Sequence, residues 1–502
     1  MRILYYNWVD YLDDESRGGG VSIYQHNVLR AMDQMPDMEA DFLSAGLSYD
    51  ITRSQPRWER VRHGPDEDRH RRYEIVNSGT LSPSHHSFGN PTQVSHAETE
   101  QAFFDFLREN GPYDVVHFNN LEGIPARVVT LKEHFPDTKV ILTLHNYYTV
   151  CPQVNLWFEE TENCSGFARG AKCVDCLPHK PPEGLVRLAN ALAYRLKVNG
   201  VRPGTRRFDV LFRTAIRIGS RSSRLPIFGG GQKPMLPPLP PGPEQADMFG
   251  RRRVEIVDLI NANCDRVLSV SDRVREVAAY HGIREDILQT SYIGTAEAAR
   301  FDKTRPQATV LNRDGTLTLA YLGYMRRDKG FFFMLDALEN LPDALVGRIR
   351  LVVAAREGPL GAMARLQALG ARLAELRHVD GYTHDGLDTL LADVGVGLIP
   401  VLWQDNLPQV AIEMHARHIP LLTSNLGGAQ ELASFDDMVF DAGNIESLGE
   451  RLQFVLDGKL DMTAYWAGAR APVSMAAHLD DLVGVYRCET LAQPDIAVGA
   501  PT

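Results

Sequence analysis

Two carboxylates, Asp405 and Glu413, stand eight residues apart, with Asn406-Leu407-Pro408 between them where an apolar run gives way to a helical pattern. Such a strand-to-helix turn presents backbone N–H groups, which suit an anionic diphosphate or sugar hydroxyls. A carboxylate inside the following helix can accept from both vicinal hydroxyls of a ribose. About 80 residues earlier, Gly323-Tyr-Met-Arg-Arg-Asp-Lys-Gly330 follows another apolar run and opens a helix, so Lys329 with Arg326 or Arg327 could face a pyrophosphate. Near the start, Gly18, Gly19 and Gly20 permit close approach of backbone to a ligand. His145 ends a third apolar run and should face a cleft instead of a core. Asn119 and Asn120 end the run before it and are candidate acceptor-side groups. Each pattern alone has a plainer reading: two acids and a proline start a helix, cations at a helix start are solvated, a glycine triplet is a loop, and a strand-end histidine is a satisfied polar group.

Taken in order, these segments resemble family-four GT-B glycosyltransferases. Asp405 and Glu413 match the Glu-x7-Glu region of that family, and Gly427, Gly428 and Glu431 match its downstream Gly-Gly-x-x-Glu. Gly323 to Gly330 is similar to its Gly-Arg-x-x-x-x-Lys-Gly donor-phosphate motif. The departures are Asp for Glu at 405, Asn406-Leu407-Pro408 for Phe-Gly, and Tyr324 where the family has Arg, which moves the guanidinium to Arg326. The resemblance covers the chain except about 180–243 and the C-terminal tail. It implies a retaining, metal-independent transfer of a sugar, of hexosyl type, from a nucleotide sugar, UDP- or GDP-linked, to a hydroxyl of a glycan or lipid-linked acceptor in polysaccharide or glycolipid synthesis. The implied catalytic set is His145, Arg326, Lys329, Asp405 and Glu413. Donor contacts fall to Gly19, Gly20, Gly323, Asn406, Leu407, Glu413, Gly428 and Glu431. In this class the diphosphate leaves first, steadied by the cations, and then helps deprotonate the incoming hydroxyl on the same face. A sugar-nucleotide epimerase of the same fold, or a degenerate binding subunit, is the alternative.

The elements that must position these groups alternate as short apolar runs and helical patterns, the signature of parallel sheets covered by helices on both faces. Strands are predicted at 2–6, 115–118, 139–145, 266–270 and 288–293, and again at 317–322, 349–354, 377–379, 394–400, 419–423 and 438–440. A helix is predicted from about Val21, where Tyr24, Val28, Leu29 and Met32 recur at helical spacing. The expected fold is α/β of GT-B type: two doubly wound Rossmann-like domains facing each other across a cleft, ligand at the carboxyl ends of the strands. The domains are 1–301, with an insertion at about 151–250, and 302–472, joined by a polar linker at 302–315. From 473 a final helix, 475–491, is expected from the family to cross back to the first domain, followed by a tail.

The length of 502 residues suits two cores, and 44% apolar residues can fill them. A net charge of -11 argues against a general nucleic-acid binder. The opening Met-Arg-Ile-Leu-Tyr-Tyr reads as a buried strand and not as a signal peptide, and no apolar run spans a bilayer, so the expectation is a cytoplasmic protein, soluble or peripheral at the inner face of the membrane. Four of six cysteines, Cys151, Cys164, Cys173 and Cys176, fall within 26 residues, a spacing that suits a structural all-thiolate zinc site or a set of reduced thiols. No cofactor is expected for catalysis. Residues 180–224 carry eleven Lys or Arg against Glu183 and Asp209, a local charge of +9, with Leu185, Leu188, Leu192 and Leu196 interleaved. That surface suits an anionic membrane near a lipid-linked acceptor, or is a solvated insertion.

Overall fold

The structure is a computed structural model that describes residues 1–15, 17–177, 181–222, 242–359 and 361–487, without the side chains of 215–222. Lys180, residues 223–241 with Arg224, and the predicted tail lie outside the described residues.

The first domain is built on an eight-stranded sheet. Its strands are β1 (Arg2–Asn7), β2 (Glu39–Ala45), β3 (Arg57–Arg60), β4 (Arg72–Val76), β5 (Val115–Phe118), β6 (Lys139–Leu144), β9 (Arg266–Ser269) and β10 (Leu288–Thr290). A separate hairpin, β7 (Trp157–Phe158) with β8 (Glu162–Asn163), lies between β6 and β9. The order across the sheet is β10-β9-β6-β5-β1-β2-β4-β3, parallel except for β3. The central strands β1, β5 and β6 are buried on both faces, as helix-covered parallel strands are. β2, β3 and β4 were not foreseen. They carry Asp41, Glu59, Arg60, Arg72 and Glu74 where an apolar run would signal a strand, and the buried Arg72 and Glu74 are paired, with Asp10 (2.9 Å) and His63 (3.2 Å) respectively.

Helix Gly19–Met32 follows β1 and buries Tyr24, Val28, Leu29 and Met32, the stripe its spacing predicts. Between β6 and β9 the chain forms helices Ala171–Asp175, Glu183–Val198, Arg206–Ser222 and Pro243–Asn263. The last of these packs on Ala171–Asp175 and on the turn Ala126–Glu133, and so ties this region to the first domain.

The second domain has a six-stranded, all-parallel sheet of order β13-β12-β11-β14-β15-β16, comprising β11 (Leu317–Tyr324), β12 (Ile349–Arg356), β13 (Glu375–Val379), β14 (Val396–Ile399), β15 (Leu421–Ser424) and β16 (Val439–Phe440). The predicted linker at 302–315 begins inside helix Ala298–Lys303. The final helix, Met475–Arg487, lies against helix Gly19–Met32 of the first domain. There Tyr486 Oη meets His117 Nδ1 at 2.6 Å and Tyr5 Oη at 2.8 Å, and His478 Nε2 meets Tyr24 Oη at 2.7 Å.

Candidate active site

A cleft of about 1220 Å³ opens between the two sheets at the carboxyl ends of their strands. On the second-domain side, the penultimate residue of β11 is Gly323, whose φ of 137° favours glycine, and the chain turns through residues 325–330. Gly330 has a φ of 73°, and a Cβ there would sit 1.7 Å from the Pro400 carbonyl oxygen, so only glycine lets this loop close on the end of β14. The closure places Lys329 on the cleft wall. Its ammonium meets Asp405 Oδ2 at 2.6 Å and lies 5.0 Å from the centre of the Trp403 ring. Arg326, expected to share this role, is turned away: its guanidinium is held bidentate by Asp328 at 2.7 and 2.9 Å, and it is not among the residues lining the cleft. The arginine that lines it is Arg356, at the end of β12, where strand register sets it beside Tyr324.

After β14 the chain runs through Asp405, Asn406 and Leu407 into helix Gln409–His415, and all three residues line the cleft. Asn406 bridges the domains, donating from Nδ2 to the Leu144 carbonyl at 3.3 Å and accepting at its own carbonyl from Ser271 Oγ at 2.8 Å. Its Oδ1 has no partner among the described residues. Gly428 N donates to the Asp405 carbonyl at 2.9 Å, and a Cβ at Gly427 would lie 2.1 Å from that same oxygen. The glycine pair therefore backs the turn from behind, and Gly428 does not line the donor wall. Glu413 is buried on the first turns of the helix and faces the cleft, accepting from Tyr382 Oη at 2.9 Å, with His384 Nδ1 at 3.4 Å. Burial pushes its carboxyl above the ordinary range.

Glu431 departs from its expected donor contact. Its two oxygens accept from Asp272 N at 2.9 Å and Arg273 N at 2.7 Å, capping the helix Asp272–Tyr280 of the first domain, and Tyr292 Oη adds a third bond at 2.7 Å. A carboxylate spent on another domain's helix N-terminus is an interdomain clasp.

On the opposite wall, Gly19 (φ 52°) and Gly20 open helix Gly19–Met32, and the Gly20 carbonyl accepts from Gln409 Nε2 at 3.2 Å across the cleft. His145 follows β6, lines the cleft and meets Asn119 Oδ1 at 3.2 Å. The surrounding protein desolvates its imidazole and drives it down to about 3, so it stands neutral and Nε2 carries the proton that Asn119 accepts. Asn119 and Asn120 do not reach the cleft as acceptor-side groups. Asn119 is buried beneath His145, and Asn120 donates to the Asn7 side chain. Asp13, Asp14 and Glu15 cluster at the mouth, where Arg17 pairs with Asp13 and Lys197 with Glu15.

Cys151, Cys164, Cys173 and Cys176 come together around a small cavity apart from the cleft. Arg356, Tyr382 and His384 were missed by sequence reasoning. None belongs to a local pattern, and only the pairing of β11 with β12 and the turn after β13 bring them to the cleft.

Two helix-covered parallel sheets that face each other across such a cleft, with the last helix returned to the first domain, define the GT-B fold of glycosyltransferases. Residues 302–469, essentially the second domain, match the family described as glycosyl transferases group 1. Among solved structures, sucrose-phosphate synthase of Thermosynechococcus elongatus is similar over 97% of this chain and 98% of its own, at 14% identity and a TM-score of 0.54. HepE of Anabaena, solved in complex with UDP, is similar over 97% of this chain and 100% of its own, at 12% identity and a TM-score of 0.55. The α,α-trehalose 6-phosphate synthase of Burkholderia multivorans matches at 13% identity and a TM-score of 0.51, covering 97% and 98% of the two chains. No curated protein matches the chain.

Proposed function

We propose that the protein is a retaining hexosyltransferase that moves a sugar from a UDP- or GDP-sugar to a hydroxyl of a glycan or lipid-linked acceptor, without a catalytic metal. The observation that carries this reading is the buried Glu413 carboxylate, facing the same cleft as Lys329 and oriented by Tyr382 and His384. Such a carboxylate accepts from two ribose hydroxyls, while Lys329 and Arg356, which has no ion-pair partner among the described residues, receive the diphosphate. The bond from the sugar's anomeric carbon to the diphosphate oxygen breaks, the cations stabilise the charge that develops on that oxygen, and the acceptor hydroxyl loses its proton to the departing phosphate. The free Oδ1 of Asn406 and the neutral His145 fit sugar hydroxyls. The HepE complex with UDP supports the choice of a nucleotide donor.

The acceptor side of this proposal draws on helices Glu183–Val198 and Arg206–Ser222. They expose Leu185, Leu188, Val210 and Leu211 among arginines and lysines, a surface suited to an anionic membrane. No helix among the described residues is long and apolar enough to cross a membrane. The test is thermal denaturation with UDP-, GDP-, ADP- and dTDP-sugars, wild type against Glu413→Ala. A ligand at 100 times its Kd adds about 2.7 kcal/mol. A rise in Tm with one nucleotide, lost in the variant, supports the reading, and no rise with any of them refutes it.

A further inference from the structure

Three segments distant from the cleft converge on one small cavity. Cys151 comes from the loop after β6, Cys164 from just beyond the β7–β8 hairpin, and Cys173 and Cys176 from the short helix Ala171–Asp175 and its end. Cys151, Cys173 and Cys176 are buried, Cys164 is partly so, and all four are free thiols. The remaining lining is aromatic, with Phe88, Trp157 and Phe158, apart from Pro152, Gln153 and two cations. One cation is Arg253, buried on helix Pro243–Asn263. It lies 3.5 Å over the Phe167 ring, and its polar contact is His281 Nδ1, at 3.4 Å. It has no carboxylate partner among the described residues. The other is Lys172, 3.6 Å from Glu162 and 5.0 Å over the Phe158 ring.

A buried guanidinium without an anion is costly, and four neutral thiols do not supply one. We propose that Cys151, Cys164, Cys173 and Cys176 bind one zinc ion as a closed tetrathiolate site whose charge is balanced by Arg253 and Lys172. Four thiolates around a divalent ion form a dianion, and the cavity holds two cations to meet it. Among the donor sets of proteins, tetrahedral all-thiolate sites select zinc or iron, and a colourless, redox-inert ion fits a site filled entirely by protein. One ion at this site ties the hairpin, the Cys173–Cys176 turn and the post-β6 loop together. That last loop carries Asn146, which donates to the buried Glu122 at 2.7 Å, and it begins directly after His145. The ion thus anchors the insertion to the strand end that holds one wall of the cleft.

The experiment is metal analysis of the full-length protein purified without chelator. One zinc per chain is expected, retained in Cys264→Ser, whose thiol is buried elsewhere, and lost in the double variant Cys173→Ser/Cys176→Ser. Replacement by cobalt should give the intense thiolate-to-cobalt charge-transfer and tetrahedral ligand-field bands of a four-sulfur site. Arg253→Gln should pass its zinc to a chromogenic chelator about tenfold faster than wild type, the usual scale for a partner outside the ligands. Should the double variant not fold, titration of the wild-type thiols with a mercurial must release one zinc. Wild-type protein that holds no zinc after reconstitution, that holds iron, or whose cysteines are paired in disulfides overturns the proposal. Zinc that stays in the double variant overturns it equally. Nucleotide binding is read separately, so failure here leaves the donor-site reading standing on its own test.

Discussion

Glu413→Gln separates a binding role from a folding role. Glutamine keeps an acceptor for Tyr382 Oη, now at 2.9 Å, but carries no charge. Hydrogen bonds to an ionised acceptor contribute about 1.5–3 kcal/mol each, roughly twice the neutral value. Two ribose hydroxyls that exchange a carboxylate for an amide then lose about 2 kcal/mol together, which is about 30-fold in Kd. The unliganded protein should respond in the opposite sense. Burial raises the folded carboxyl above its unfolded value, with the Glu297 charge adding to it and Tyr382, His384 and Arg417 opposing. The folded state therefore binds more protons than the unfolded one, and this group's contribution to stability, complete below the unfolded value, is lost as pH rises through the folded one. Glutamine removes that loss, so the variant should match or exceed wild type in Tm and show a flatter profile as pH rises above the ordinary carboxyl value. Calorimetric titration with the nucleotide that stabilises wild type, alongside melting as a function of pH, reads the two effects. Unchanged affinity, or a drop in Tm that accompanies the loss of binding, would refute the reasoning.

The cations should divide as the structure places them: Lys329→Ala and Arg356→Ala each lower kcat by about 10²-fold, near 3 kcal/mol, while Arg326→Ala leaves kcat close to wild type in a transfer assay. Gly330→Ala forces a Cβ against the Pro400 carbonyl at a positive φ and should cost about 1–3 kcal/mol, seen as a fall in Tm. His117 and His478 are held neutral by burial, at about 3 and about 4. The unfolded state takes up their protons first, so stability is full above the ordinary imidazole value and falls with pH below it, by up to about 1.4 kcal/mol per unit for each group. Amide exchange should show helix Met475–Arg487 opening first in acid. Leu188→Glu with Val210→Glu should weaken binding to vesicles of anionic lipid in a flotation assay and leave nucleotide binding intact.

The central strands were legible because parallel strands covered on both faces must be largely apolar, as Ile3 to Tyr6 and Val140 to Leu142 are. The far edge of the first sheet was not, since β3 is charged and half-exposed and β4 buries charge by pairing it, and a pair such as Arg72 with Asp10 spans 62 residues. The same distinction runs through the site. That Lys329, Asp405 and Glu413 line the cleft was readable because each sits at a strand end or helix start that a local pattern marks. Glu431 was misassigned because its partners lie 158 and 159 residues away, and Arg326 because a carboxylate two residues on claims it. Arg356 depends wholly on strand register.

The return of helix Met475–Arg487 to the first domain means that the backbone passes between the halves twice, once before β11 and once after helix Met462–Ala467. Two covalent crossings act like the two pins of a door. They limit how far the halves can separate on the side away from the contact of Gln409 with Gly20. They also make the halves inseparable by scission: a fragment ending near 301 would leave Tyr5 and His117 without their cover, and a second-domain fragment would carry an orphaned apolar helix at its end.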